Sequence, residues 1–302
     1  MKFEDLPNEL LIEIFECMDT RDLFVGFFGL NKRINDLLRI LKNLSYNLER
    51  PNSVLIGLFS NQITRLIVNT WQEIDLRQFP YLYSLCLNQA TTNQLKQIRA
   101  EFLPHLVYLK TSSLPQISEQ IFSNALPTVR YVDLGHTQTP FLQSWTQSPS
   151  LSSISIQTTN PSLVPYILQS APNLIYLQVH FLIDTISIFT GSPVVSNHPL
   201  KHFILCDPYH KLSYNHIHTL FVMIPNLRKL QLNFLCKLPF VRFARSLANR
   251  LQYLKQFDCK IDDASFDQTT TIETIRQIHP CFKRIVCSTC DLHFRIFTTE
   301  LN

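Results

Sequence analysis

The chain has 302 residues, a formal net charge of +4 and a charged fraction of 17%, low beside the roughly 25% of an average globular domain. Its 45% hydrophobic content is enough for one large or two modest domains. No apolar run reaches the ~18–20 residues of a membrane span, and the N-terminus lacks a basic region leading into an apolar stretch, so neither insertion nor export is expected. Eight irregularly spaced cysteines read as reduced core thiols, not as a disulfide framework. Together these features predict a soluble protein of the cytoplasm or nucleus.

Residues 1–48 predict three short helices. In the first, "LPNELLIEIFECM" (6–18), Pro7 suits the opening turn and Glu9 sits near the positive end of the helix dipole. Leu6, Leu10, Leu11, Ile14, Phe15, Cys17 and Met18 then spread over about half the helix circumference. Asp19 or Thr20 can cap a second helix carrying Leu23, Phe24, Phe27, Phe28 and Leu30. Asn31 opens a third, with Ile34, Leu37, Leu38 and Leu41. So wide an apolar arc is more than two short neighbours can cover, so part of it should meet another surface.

The stretch "LPNELLIEIFECMDTRDLFVGFFGLNKRINDLL" (6–38) resembles an F-box, the helical motif of substrate receptors in SCF-type cullin–RING ubiquitin ligases. Leu6-Pro7, Glu9-Leu10-Leu11, Ile14-Phe15, Asp22-Leu23 and Leu30-Asn31-Lys32-Arg33 carry the resemblance. Asn31 and Ile34 stand where that family often has cysteine and tryptophan. The resemblance implies that Leu6, Pro7, Leu10, Ile14 and Leu23 bind the S-phase kinase-associated adaptor, and through it the cullin–RING ligase.

After residue 50 a repeat takes over. Examples are "FPYLYSLCLN" (79–88), "LPHLVYLKTS" (103–112), "APNLIYLQVH" (171–180) and "IPNLRKLQLN" (224–233). The shared pattern is P-x-L-x-x-L-x-L. Its second aliphatic is placed at Leu66, Leu85, Leu109, Val132, Ile154, Leu177, Phe203, Leu230, Leu254 and Ile285. A period near 24 with one alternating strand per unit resembles leucine-rich repeats. Short helices are expected around Gln94–Phe102, Ser118–Asn124, Ser162–Ser170, Ile217–Ile224 and Ile272–Ile278. The fold class predicted is α/β: the helical segment at 1–48, then about ten irregular repeats over 49–302, as a curved parallel sheet with helices on its convex side. Family members usually carry Asn or Cys three residues past the last aliphatic. Here Ala90, Leu114, Thr137, Thr159, Leu182, Pro208 and Leu235 stand there, so no asparagine ladder is expected. Longer steps suggest loops, among them "TGSPVVSNHP" (190–199).

Five glycines in the whole chain argue against a phosphate-cradling loop, and no nucleophile elbow or paired-histidine metal motif occurs. "HPCFKRIVCSTCDLH" (279–293) places Cys281, Cys287 and Cys290 between His279 and His293, but lacks the second close pair of a zinc ribbon. Cys287 moreover falls on the last aliphatic position of its repeat, which assigns it to the core. The histidines 198, 202, 210, 216 and 218 lack partners at a fixed spacing. No metal, cofactor or catalytic residue is expected.

Strand alternation turns one column of side chains outward: Arg65, Ser84, Tyr108, Tyr131, Ser153, Tyr176, His202, Lys229, Tyr253 and Arg284, with Gln231 and Lys255 in the next column. Tyrosines joined by cations have the composition of protein-binding surfaces. Residues 201–260 hold ten Lys/Arg against Asp207 and Asp258, an excess that suits an acidic or phosphorylated target. The sequence therefore predicts a non-enzymatic ligase receptor holding its target through Tyr108, Tyr131, Tyr176, Lys229, Gln231, Tyr253 and Lys255. The alternative is a non-ligase repeat scaffold whose basic 201–260 region binds an acidic protein or nucleic acid; nucleic acid is the less favoured partner.

Overall fold

The computed structural model describes residues 3–112, 115–137, 145–182, 197–209, 212, 214–236, 238–263, 271–291 and 294–300. The chain divides into two compact units, residues 1–117 with 125–133, and residues 118–124 with 134–302.

The first unit opens with the expected three helices: α1 (Asn8–Glu16), α2 (Thr20–Phe27) and α3 (Lys32–Ile40). Asp19 caps α2 by accepting the Arg21 N–H at 2.8 Å, and Asn31 caps α3 by accepting the Ile34 N–H at 2.9 Å. Between them Gly29 takes a φ of +87°, a backbone state only glycine adopts without cost. A strand that was not expected follows at once, β1 (Leu44–Leu48). It pairs in parallel with β2 (Ile63–Val68) across the helix α4 (Ser53–Phe59). Tyr46 lies opposite Leu66, and both are buried. "LSYNL" alternates as a repeat strand does, but no proline motif announces it.

Next come β3 (Ser84–Leu87), α5 (Thr92–Lys96), β4 (Tyr108–Thr111) and the strand β5 (Tyr131–His136), preceded by α6 (Pro115–Phe122). Each strand of this unit pairs in parallel with its predecessor, with Ser84 opposite Tyr108 and Tyr108 opposite Tyr131. Burial alternates along β1, β3 and β4, in β2 from Leu66 onward and in β5 up to Leu134. Leu66, Leu85, Leu109 and Val132 face inward as the repeat predicts.

The P-x-L signature has a local cause. In "FPYL", "LPHL" and "LPTV" the fourth residue donates its N–H to the carbonyl of the first: Leu82 to Phe79 at 3.2 Å, Leu106 to Leu103 at 3.2 Å, and Val129 to Leu126 at 3.1 Å. Proline holds the second position of this turn, where its fixed φ is already correct. The turn aims the chain into the strand, so one motif sets both the corner and the register.

The second unit repeats this design with β6 (Ser153–Thr158), α7 (Leu163–Ser170), β7 (Tyr176–Phe181), β8 (His202–Cys206), α8 (Tyr214–Met223), β9 (Lys229–Cys236), α9 (Phe240–Arg250) and β10 (Gln256–Asp263), its strands parallel. It closes with α10 (Ile272–Ile278), β11 (Ile285–Asp291) and β12 (Phe294–Thr299). Helices lie over the buried sheet side. Phe243 of α9 sits 5.3 Å from Phe234 of β9, and Phe240 stacks 4.5 Å from Phe297 of β12. α9 was not among the expected helices, and α5 ends earlier than expected.

Three expectations are corrected in this unit. The Leu254 register is wrong by three residues: Phe257, not Leu254, pairs with Leu230, and Gln256, not Tyr253, pairs with Lys229. The reason is the turn. Leu254 donates to the Leu251 carbonyl at 3.0 Å as Leu82 does to Phe79, but Gln252 replaces the marker proline, and two leucines three apart satisfy the pattern in either frame. Next, the last strand is not another parallel repeat. β12 inserts between β10 and β11, antiparallel to both. Finally, Cys287 is exposed, because β11 stands at the sheet edge beyond this hairpin. Of the 190–199 loop, residues 190–196 lie outside the described residues.

Candidate protein-binding surfaces

The N-terminal helices sort their apolar residues into two sets. Leu11 and Phe15 of α1 are fully buried, and Phe15 anchors an aromatic cluster with Phe27 at 4.9 Å and Phe3 at 6.2 Å. Leu23 is also fully buried. It builds this core and offers no surface, which corrects its place among the adaptor-contacting residues. Leu10 and Ile14, by contrast, are 45% and 39% exposed. Pro7 is exposed and Leu6 half-buried. Positions 7, 10 and 14 fall on one helix face, so Pro7, Leu10 and Ile14 form an outward apolar stripe. The arc noted in the sequence is thus shared between a core side and an open side.

Arg33 of α3 holds this stripe in place. Its guanidinium donates to the Glu4 and Leu6 carbonyls, each at 2.6 Å, and to Asn8 Oδ1 at 2.8 Å. Asn31 adds a bond to the Glu4 carboxylate at 3.1 Å. The planar fork of arginine suits such multiple contacts. Both residues belong to the "LNKR" segment, but their role of pinning the chain before α1 was not legible there.

The start of α2 also finishes the edge of β1. Asp19 Oδ2 accepts the Asn47 N–H at 2.9 Å, and the Thr20 hydroxyl donates to the Ser45 carbonyl at 2.7 Å. Burial, then the Asp19 charge, push the Tyr46 hydroxyl above its ordinary pKa. A single carboxylate therefore caps a helix and satisfies a sheet edge.

On the outward sheet face of the first unit, Tyr131 is 45% exposed and Tyr108 half-buried. Lys110 is engaged with Asp133 at 3.0 Å, and this partner raises its pKa. Asn88 donates to Asn69 at 2.6 Å, and Asn69 to Asn47 at 2.7 Å. A short asparagine chain therefore exists after all, one residue past the last aliphatic in β2 and β3 rather than three.

In the second unit, Tyr176 donates to Gln178 Oε1 at 2.7 Å, and Gln178 meets His180 Nε2 at 2.6 Å. His202 lies edge-on to Tyr176 with ring centroids 6.4 Å apart. Lys229 is half-buried and Gln231 exposed on the same face. Tyr253 and Lys255 are not on that face. Tyr253 sits in the turn before β10, 62% exposed, and Lys255 at its rim, where its N–H bonds the Arg228 carbonyl at 2.8 Å. Sequence reasoning brought together Tyr176, Lys229 and Gln231 correctly in register, and misplaced the other two by the three-residue slip.

Residues 3–25 match the F-box domain. The chain carries an F-box. No curated protein matches the chain. In fold it is similar to an LRR protein of Leptospira interrogans, at 15% identity over 84% of this chain and 86% of that one, with a TM-score of 0.33. The body that follows the F-box is α/β, with parallel strands and a helix in most crossovers.

Several reactive side chains among the described residues have local roles. Burial pushes the Cys236 and Cys259 thiols up to about 12, far from the thiolate needed for nucleophilic work. Among the described side chains only these two are buried; Cys17 is exposed like Cys287, which corrects the picture of uniform core thiols. His279 accepts the Cys281 N–H at 3.3 Å as the cap of a short 3-10 turn. His198 is 3% exposed, accepting the Leu200 N–H at Nδ1 and meeting the Ala171 carbonyl at Nε2. Among the described residues no group of three or more His, Cys, Asp or Glu is placed to hold a metal. The side chains of Cys290, His293 and His210 lie outside the described set. No helix among the described residues is long and apolar enough to cross a membrane.

Proposed function

We propose that this chain is the substrate-recognition subunit of an SCF-type cullin–RING ubiquitin ligase, acting in the cytoplasm or nucleus. Residues 1–48 bind the S-phase kinase-associated adaptor, and residues 49–302 hold a target protein while other subunits transfer ubiquitin. The observation that carries this reading is the open apolar stripe of Pro7, Leu10 and Ile14 on an F-box whose approach is pinned by Arg33. A helix that buries Leu11 and Phe15 yet leaves Leu10 and Ile14 to water suits an obligate partner. On the repeats, Tyr108, Tyr131, Tyr176, Lys229 and Gln231 supply aromatic and polar target contacts, with Tyr253 and Lys255 beside them at the rim. The chain itself performs no chemistry in this scheme.

The test is capture of purified adaptor by the full chain. Leu6→Ala with Pro7→Ala is expected to abolish capture while the circular dichroism spectrum and melting profile stay those of wild type. Undiminished capture by that double variant counts against the reading.

A further inference from the structure

Where each repeat of the second unit enters its strand, the backbone makes a small recurring device. Two successive N–H groups donate to one carbonyl of the preceding repeat: Lys201 and His202 to Ile175, both at 2.9 Å; Arg228 and Lys229 to Lys201, at 2.8 and 2.9 Å; Lys255 and Gln256 to Arg228, at 2.8 and 3.1 Å. Each repeat therefore presents two neighbouring side chains at this rim, and the pairs are stacked at the strand spacing of about 4.8 Å. Lys201, Arg228 and Lys255 make one row, all exposed, and Lys229 lies beside them on the strand face. None of these four cations forms an ion pair among the described residues. The only described acids in 197–260 are Asp207, fully buried, and Asp258, which accepts from Gln256 at 2.7 Å. Ile175, 42% exposed, and Tyr253, 62% exposed, flank the row with apolar surface.

We infer that this rim binds an acidic segment of a partner protein, laid in extended form across the repeats. The inference deepens the receptor reading by naming the chemistry of the target, and its biological meaning rests on that reading. Stacked like charges left without counter-charges repel one another, and an acidic chain relieves that repulsion while gaining steered association. The spacing adds a specification. Lys201 to Lys255 spans two strand spacings, about 9.6 Å, which an extended segment of polyproline II form covers in three residues at about 3.1 Å each, bringing its side chain back to the same side. Carboxylates three positions apart therefore meet the two ends of the row. Tyr253 gives the segment an aromatic contact that fixes its lateral position.

The experiment is fluorescence anisotropy on the full chain at low salt, with a short labelled peptide bearing glutamate at every third position. Replacing Lys201, Arg228 and Lys255 by serine is expected to weaken binding roughly twofold per side chain and about tenfold together, the scale of exposed ion pairs. Affinity should also fall steeply with added salt. Arg242→Ser with Arg245→Ser, on the outer side of α9, should leave affinity unchanged. Any of four results overturns the inference: no binding by wild type, wild-type binding by the triple variant, an equal loss in the α9 variant, or tighter rim-dependent binding of labelled oligouridylate than of the peptide. Adaptor capture is read on the same samples. Its failure in the wild-type chain counts against the receptor reading, whereas failure of peptide binding with capture intact counts against the rim alone.

Discussion

The strands β1 and β10 each finish a parallel run in their own unit, and they are finished by opposite means. At β1 the cover is polar and comes from a helix start, with Asp19 and Thr20 taking one N–H and one carbonyl. At β10 it is another strand, the antiparallel β12, locked by Phe297 under α9 and by Arg295 on the buried Asp263 at 3.2 Å. A repeat unit meets its neighbours on two sides, so terminal units must supply some other cover or leave an unpaired edge. Here the first cover is also the proposed ligase anchor. The comparison teaches that the proposed adaptor attachment and the closure of the sheet share one helical segment but use different sides of it.

The comparison can be broken at either end. The largest effect is expected at the hairpin. Arg295→Met removes the Arg295–Asp263 ion pair at a buried carboxylate and should cost about 3 kcal/mol in urea unfolding, with partial recovery when Asp263→Asn is added. At the helix end, Asp19→Ala removes both a cap and a charge-assisted bond to β1 and should cost about 2 kcal/mol by the same measurement. Asn69→Ala interrupts the asparagine chain beside that end and is expected to cost about 1 kcal/mol.

The smallest effect is a pH dependence in the second unit. Burial holds His198, His216 and His218 below their ordinary pKa. The unfolded chain therefore takes up protons first as pH falls, so stability is full above the unfolded value of about 6.5 and is lost below it. Melting temperatures between neutral and mildly acidic pH should show this fall, and His198→Asn should flatten it.

The legible parts of the molecule were those that repeat or resemble. Eight of the predicted register positions stand because alternating aliphatics, and in most copies a proline turn, state them locally; Leu66, Leu85 and Leu230 are examples, all fully buried. The Leu254 frame failed where Gln252 took the proline position. β1 was missed, and "DLHFRIF" (291–297) was legible as a closing strand but not as one inserted antiparallel between β10 and β11, for a deeper reason: a cap ends the pattern, so it does not carry it. The F-box residues were legible as a set, yet the division of Leu10 and Ile14 from Leu11, Phe15 and Leu23 was not. One-half of a wide apolar arc faces the core, and only the packed neighbours decide which half. Lys201, Arg228 and Lys255 were visible as charge, but their stacking depends on backbone bonds between repeats.

The central claim is that the F-box presents one side to the adaptor and another to the protein's own sheet. Titration calorimetry with purified adaptor, paired with melting curves, separates the two. Leu10→Ser with Ile14→Ser removes roughly half-exposed apolar area at two positions and should weaken adaptor binding about a hundredfold with the melting temperature unchanged. Asp19→Ala should lower the melting temperature and leave adaptor affinity as it was. If the Leu10, Ile14 variant binds adaptor as wild type does, or melts as early as Asp19→Ala, the stripe is not the docking surface and the account is wrong.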